Sequence, residues 1–257
     1  MLPGGIAGTM DRERDDQPAS LGLEAVANLY DMRAGLFHAE EQIADVRNAV
    51  ALVRSVCPAP DSRILDLGCG EGQHLIELRA AGYLSLHGID ISSRAVEIAR
   101  RRCQALPISF TCGNVADLDM GEFDLVTAFN SSLGSLGAEG DRSYLRGVAK
   151  ALRPGGLFVL CHVSLDSAQR RVGTFYSRSA RDEGGYITTR VSISEDNRWL
   201  RLRQNYMSHV FPSEQIRIFG EEELSAMMDD VGLERAGVTV DHSRSLPYVG
   251  VFLARKR

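Results

Sequence analysis

The chain has 257 residues, of which 44% are apolar and 25% charged, the composition of a globular protein with a sizeable core. With 34 acidic and 29 basic residues its formal net charge is −5, which argues against a generally basic nucleic-acid binder. No apolar run approaches the roughly 18 residues of a membrane span, and MLPGGIAGTMDRERDD lacks the basic start and apolar stretch of a signal peptide, so a cytoplasmic protein without membrane or nucleic-acid partners is expected.

The five cysteines, Cys57, Cys69, Cys103, Cys112 and Cys161, are odd in number and widely spaced. That pattern suits a reducing compartment and provides no zinc spacing, so no metal is expected. Residues 1–20 are rich in Gly, Pro and charge without apolar periodicity and read as a disordered tail. One domain is expected over 21–257. It divides into N-terminal helices at 21–58, a core at 61–163 and 220–257, and an inserted cover at about 166–219.

From Leu21 the spacing is helical, with Leu23, Val26, Ala27 and Tyr30 on one face, then Ile43, Val46, Val50 and Val53. Pro58 and Pro60 close that region. Strands follow at Arg63–Leu67, Ser85–Asp90, Ile108–Cys112, Phe123–Phe129 and Leu157–Val163. Helices are expected between them at Gly72–Ala81, at Ser92–Gln104 with Ser92 as N-cap, and at Arg142–Leu152. Alternating strands and helices of this length imply βαβ units and a doubly wound, mostly parallel sheet. Beyond Leu165 the period changes to two: Ile187, Thr189, Val191 and Ile193 alternate, as do Leu200, Leu202, Gln204 and Tyr206. Glu195-Asp196-Asn197 supplies a turn between them, so an inserted antiparallel hairpin is expected. Ile216 and Ile218 suggest a further strand, Glu221–Asp230 a helix, and Gly237–Ala254 two last strands.

The chemistry concentrates in ILDLGCGEGQ, where the first strand runs into Gly68, Gly70 and Gly72 and a helix starts directly after. Alternate glycines let the chain turn sharply and leave bare main chain for a ligand. In an open α/β sheet this first turn is where nucleotide-containing ligands bind. Asp90 ends the second strand about twenty residues later, where a carboxylate can accept from a ribose diol or simply cap the next helix. A dinucleotide site reads G-x-G-x-x-G, whereas this turn reads G-x-G-x-G with Asp66 two residues ahead. S-adenosylmethionine carries no phosphate but has a positive amino-acid end, which Asp66 suits; a structural role for Asp66 stays open.

With these motifs the chain resembles the class I S-adenosylmethionine-dependent methyltransferases, over roughly Tyr30 to Arg257. The resemblance rests on ILDLGCGEGQ and GIDIS, on Cys112-Gly113-Asn114-Val115, and on FDLVTAFNSS and LRPGGLFVL. It implies S-adenosylmethionine as cofactor, a last strand antiparallel to the rest, and a hairpin over the substrate side. It marks Asp66, Gly68, Cys69, Gly70, Gly72, Asp90, Ile91, Asn114, Val115 and Asn130 as the cofactor-binding set. The family usually has Asp where this chain has Asn114, an amide that still offers an acceptor to an adenine amino group. Tyr30-Asp31 and the hairpin are similar to small-molecule N-methyltransferases, including those acting on amino sugars.

Methyl transfer is an in-line displacement, for which positioning is the protein's main task. Candidates near the reacting end are Asn130, Ser131 and Ser132 after the fourth strand, His162 ending the fifth, and Tyr30, Tyr206 and His209. Each has a bland alternative: a loop cap for Asn130, a packed histidine for His162, core filling for Tyr30. The expected activity is methylation of a small molecule at nitrogen, with oxygen next, by a monomer or homodimer. A peptide N-terminal methyltransferase and a non-catalytic cofactor-binding subunit remain alternatives.

Overall fold

In the computed structural model, residues 22–36, 43–117, 120–129, 133–178, 185–236 and 250–257 are described. The expected tail, Asn130 to Ser132, and much of the Gly237–Ala254 segment lie outside them. Two sheets form the scaffold. The larger has seven strands: β1 (Arg63–Leu67), β2 (Ser85–Asp90), β3 (Ile108–Cys112), β4 (Phe123–Ala128), β5 (Leu152–His162), β11 (Leu233–Arg235) and β12 (Gly250–Lys256). Their order is β11-β12-β5-β4-β1-β2-β3. β1 pairs in parallel with β2 and β4, and β12 runs antiparallel to β5. The sheet is therefore mostly parallel with its last strand reversed, as the resemblance implies.

Both faces of this sheet are covered. Residues alternate between two cores along β5, where Phe158 packs with α5 (Gly137–Ala151) and α7 (Glu221–Asp229). The next residue, Val159, faces α2 (Ile43–Val56), α3 (Gln73–Ala80) and α4 (Ser93–Arg102). A strand buried on both faces needs a continuous apolar run, which LFVL supplies. Ser92 caps α4 as expected, its side chain accepting from the Ala95 N–H at 3.0 Å.

The second sheet is antiparallel, ordered β10-β8-β7-β6 with β9 beside β8. Its strands are β6 (Gly173–Arg178), β7 (Tyr186–Ile193), β8 (Trp199–Tyr206), β9 (His209–Val210) and β10 (Glu214–Arg217). The expected hairpin is its centre, with Ile187 opposite Tyr206 and Ile193 opposite Leu200. A short helix, α6 (Leu165–Arg171), contributes Ala168 to the core beneath this sheet. Its N-terminus carries a reciprocal Ser164/Ser167 capping box, an S-x-x-S spelling of a signal usually written with Glu at the fourth place.

Two features differ from expectation. The fifth strand begins at Leu152, because Leu152 already pairs with Phe123 before the register shifts to Leu125 opposite Leu157. The strand therefore runs through the Pro154-Gly155-Gly156 turn signal as an irregularity at a sheet end. A strand that was not expected lies at Leu233–Arg235, where Gly232 at φ +81 reverses the chain right after α7.

Candidate functional site

A cavity of about 310 Å³ opens at the carboxyl ends of β1, β2 and β3. Strand ends in a parallel sheet project their loops to one side, so the glycine turn, the β2 end and the β3 end converge there. Gly68, Cys69, Gly70, Asp90, Ile91, Asn114 and Val115 of the expected cofactor set all wall it. So does Tyr30, on the helix α1 (Leu23–Arg33) that lies across the mouth.

The loop is held by hydrogen bonds that its backbone conformation makes possible. Gly68, Gly70 and Gly72 have φ of +67, +52 and +83, the region glycine enters without steric cost. The Gly70 N–H donates to Asp90 Oδ2 at 2.7 Å, and the Ser92 N–H donates to Asp90 Oδ1 at 2.8 Å. Asp90 thus joins the loop to the start of α4 and still has lone pairs for a ligand. These two bonds are the structural reading of this residue. Gly88 serves close approach: a Cβ there would lie 2.7 Å from Cys69 Sγ and from Leu75 Cδ1. Burial pushes the Asp90 carboxyl up, against the backbone bonds from Ser92 and Gly70, and nearby Asp31 adds to the rise.

Three members of the set stand differently. Asp66 lies beneath the cavity, 1% exposed, with Oδ1 accepting from Thr127 Oγ1 at 2.8 Å and Oδ2 without a partner. His74 Nδ1 is 4.0 Å from Oδ2, too far for a hydrogen bond. Burial holds the His74 ring down to about 4, so it stays neutral. Burial also pushes Asp66 up to about 7, against the Thr127 bond, with Asp90 raising it further. Asn114 walls the cavity, but its Oδ1 accepts from the Ala116 N–H at 3.1 Å, so this acceptor is engaged in its own turn. Gly72 is outside the wall; its left-handed turn starts α3, and its Cβ position lies 3.1 Å from the Phe110 ring.

The candidates for the reacting end need correction. His162 is buried away from the cavity, its ring 5.4 Å from that of Phe219 and its Nε2 2.9 Å from the Arg217 carbonyl oxygen. Burial pushes it down to about 4. A strand-end histidine was drawn here into the contact between the two sheets. Tyr206 packs with Leu29, Leu36, Ile187 and Phe211, and His209 sits exposed with an edge contact to Phe211. Neither reaches the cavity wall. The second sheet reaches it instead through Gln204, whose Nε2 donates to Thr189 Oγ1 at 3.0 Å. Asn130 lies outside the described residues.

Several wall residues had no signal in the sequence: Arg33, Glu71, His74 and Tyr144. The roof they help to build is pinned at three points. Asp31 accepts from Ser92 Oγ at 2.6 Å, Ser93 Oγ at 3.2 Å and the Arg94 N–H at 3.0 Å. Glu71 accepts from the Gly35 N–H at 2.6 Å and from Arg102 Nη1 at 2.9 Å. Glu214, 3% exposed on β10, accepts from Tyr30 Oη at 2.7 Å and from Arg33 Nη1 at 2.5 Å. Arg33 Nε and Nη2, and Tyr144 Oη, are buried without partners. Among the described residues no helix is long and apolar enough to cross a membrane.

A pocket with a carboxylate at the β2 end, bare main chain at the β1 turn and unmet polar atoms around it fits a nucleoside with an amino-acid end. Comparison with known proteins agrees with this chemistry. Residues 64–156 match the family model described as a methyltransferase domain. The chain is 29% identical to the dTDP-4-amino-2,3,4,6-tetradeoxy-D-glucose N,N-dimethyltransferase of Saccharopolyspora spinosa, over 74% of this chain and 78% of that one. It is also 29% identical to the dTDP-3-amino-3,6-dideoxy-alpha-D-glucopyranose N,N-dimethyltransferase of Streptomyces fradiae, over 81% and 83%. Its fold is similar to CalS10 from Micromonospora echinaspora, an amino pentose methyltransferase solved with S-adenosylmethionine bound, at a TM-score of 0.61 and 24% identity over 82% and 90%. The glycine turn, the β2 carboxylate and the reversed last strand thus sit in a chain whose residues 64–156 match a methyltransferase domain and whose similarity over most of its length is to S-adenosylmethionine-dependent methyltransferases.

Proposed function

We propose that this protein methylates the amino nitrogen of a nucleotide-linked deoxyamino sugar. The observation that carries the reading is the position of the cavity. It lies between the β1–β3 ends, which offer Asp90 and the glycine turn, and the antiparallel sheet, which offers Gln204. Support for the acceptor class comes from the two sugar N,N-dimethyltransferases, whose similarity runs well past residues 64–156.

In this reading S-adenosylmethionine supplies a methyl group already activated on a sulfonium. Asp90 takes the ribose diol, and Gly68, Cys69 and Gly70 present main chain to the amino-acid end. Ile91, Asn114 and Val115 line the place of the base, with Tyr30 as roof. The antiparallel second sheet forms the acceptor cover. The protein's work is to align and to exclude water, which in well-ordered cases is worth on the order of 7–11 kcal/mol. An alkyl ammonium near pKa 10 must shed its proton before attack. With His162 turned away, the amine enters neutral, and no side chain among the described cavity residues is assigned as its base.

The test has two stages. Calorimetric titration with S-adenosylhomocysteine and with NAD should show binding of the first alone. Incubation with S-adenosylmethionine and dTDP-linked 3-amino and 4-amino deoxysugars should then add one or two methyl groups, read by mass spectrometry. Binding of NAD alone overturns the cofactor. Methylation of peptide amines with none of the sugars overturns the acceptor.

A further inference from the structure

The roof helix has a direction that its contacts define. Leu23, at its start, faces Asn114 and Leu136 beside the β3 end. Asp31 is bound to Ser92, Ser93 and Arg94 after β2. Gly35, just beyond its end, is bound to Glu71 of the glycine turn. The helix therefore crosses the mouth from the β3 end to the β1 turn, and Arg33 lies close to the β1 turn.

Arg33 is unusual in its own right. Its side chain is nine-tenths buried in the cavity wall, and only Nη1 is engaged, by Glu214. Nε and Nη2 have no partner. Those two nitrogens form the side-on edge of the guanidinium, the fork that grips a carboxylate with two parallel hydrogen bonds. Unmet donors on a buried cation are costly, and a ligand anion would satisfy both. Glu214 holds the other edge, and Tyr30 holds Glu214, so the fork is set before any ligand arrives.

We propose that Arg33 is the residue that binds the carboxylate of the cofactor's amino-acid end, positioned by Glu214 of the second sheet. The inference rests on the S-adenosylmethionine reading above. With the ribose at Asp90, the amino-acid end falls at the glycine turn, and its carboxylate is the cofactor's one anionic group.

The experiment compares two ligands by calorimetry: S-adenosylhomocysteine and its decarboxylated analogue, which keeps the amine. Wild type should prefer the first by roughly 10- to 100-fold, the worth of hydrogen bonds to a charged group. Arg33→Gln should lose most of that preference while binding the analogue within about threefold of wild type. Arg33→Lys keeps the charge but not the fork, and should keep a part of the preference. Should Arg33→Gln fail to fold, the Arg33→Lys ratio decides. Equal losses for both ligands in a folded variant overturn the proposal and make Arg33 a structural partner of Glu214. A wild type that binds both ligands alike overturns it too. A wild type that binds neither overturns the cofactor reading itself.

Discussion

Asp31 accepts a hydrogen bond from Ser92 Oγ at 2.6 Å, and the same Ser92 oxygen accepts from the Ala95 N–H at 3.0 Å to cap α4. One hydroxyl thus joins the helix that roofs the cavity to the helix that follows β2. The roof is pinned where Asp90 also binds the Ser92 N–H. Asp90 and the roof are thereby linked through a few atoms of Ser92.

Asp31→Ala should cost about 1 kcal/mol of stability, in the range of a lost helix cap, and weaken S-adenosylhomocysteine binding as the roof loosens. Burial acts to raise the Asp31 carboxyl, but bonds from Ser92, Arg94 and Ser93 outweigh it and hold the group below its usual range. A lowered acid stabilises the fold above its unfolded pKa, and that contribution is lost as pH falls through the folded one. Melting curves below pH 4 should therefore converge for wild type and Asp31→Asn and separate near neutrality. Parallel curves across that range would remove Asp31 from the anchoring of the roof.

The glycine turn separates folding from binding. A Cβ at Gly70 would meet nothing within 4 Å, yet φ there is +52. Gly70→Val should cost roughly 1–2 kcal/mol of strain and leave a folded protein, while the branched side chain fills the ligand's space. Asp90→Ala should also weaken S-adenosylhomocysteine, by roughly 1.5–3 kcal/mol, with Asp90→Asn losing less. Calorimetry on folded variants checks both, and wild-type affinity in either alanine or valine variant would move the site elsewhere.

Asp66 gives the ligand-free protein a pH signature. Its carboxyl is pushed up to about 7 by burial and by Asp90, with Thr127 opposing, against about 4 in an unfolded chain. The folded state then holds a proton that the unfolded state releases. Stability is complete below about pH 4 and declines as pH rises toward 7. Asp66→Asn should flatten that decline in the ligand-free melting temperature. A positively charged ligand end beside Asp66 should flatten it as well, which melting with saturating S-adenosylhomocysteine would read. Identical slopes for wild type and Asp66→Asn would refute the assignment.

What the sequence revealed and what it hid follow from the range of the interactions. Ser92, Gly68 to Gly72 and the continuous apolar run LFVL report local needs of the chain, and each of those positions was legible. Arg33 was not. Its burial depends on Glu214, 181 positions away, and a helix-borne arginine otherwise reads as a solvent-facing residue. Gln204 was hidden for a related reason. The hairpin pattern gave the faces of β8, but which residue reaches the cavity depends on how the second sheet sits against α1. His162 shows the converse: a strand-end position is necessary for a site in this fold but not sufficient, since Phe219 and the Arg217 carbonyl claim the ring.

His162 should accordingly behave as a structural residue. Burial holds its ring neutral, down to about 4, with the Arg217 carbonyl opposing. A lowered base stabilises the fold above its unfolded pKa near 6.5, and that contribution is lost as pH falls toward 4. His162→Ala should cost roughly 2–3 kcal/mol of stability, as a buried ring and a hydrogen bond are lost together. Methyl-transfer rates per folded molecule should keep the wild-type pH profile. A profile that loses an ionisation near neutrality in His162→Ala would return the residue to the chemistry.

Gln204 carries the corresponding prediction for the acceptor. It is the point at which the antiparallel sheet meets the cavity, and its Nε2 is held by Thr189 Oγ1, which leaves the amide oxygen oriented from a rigid strand pair. On the proposed function, such a group would orient a hydroxyl or amine of the acceptor. Gln204→Leu conserves bulk and removes the polar atoms, so the acceptor KM should rise by roughly 5- to 10-fold, the worth of one neutral hydrogen bond. S-adenosylhomocysteine affinity should stay within about threefold, and Tyr206→Phe and His209→Ala should leave the acceptor KM unchanged. The split matters more than either value: a loss of cofactor affinity with an unchanged acceptor KM would place Gln204 on the cofactor side and move the acceptor away from the second sheet.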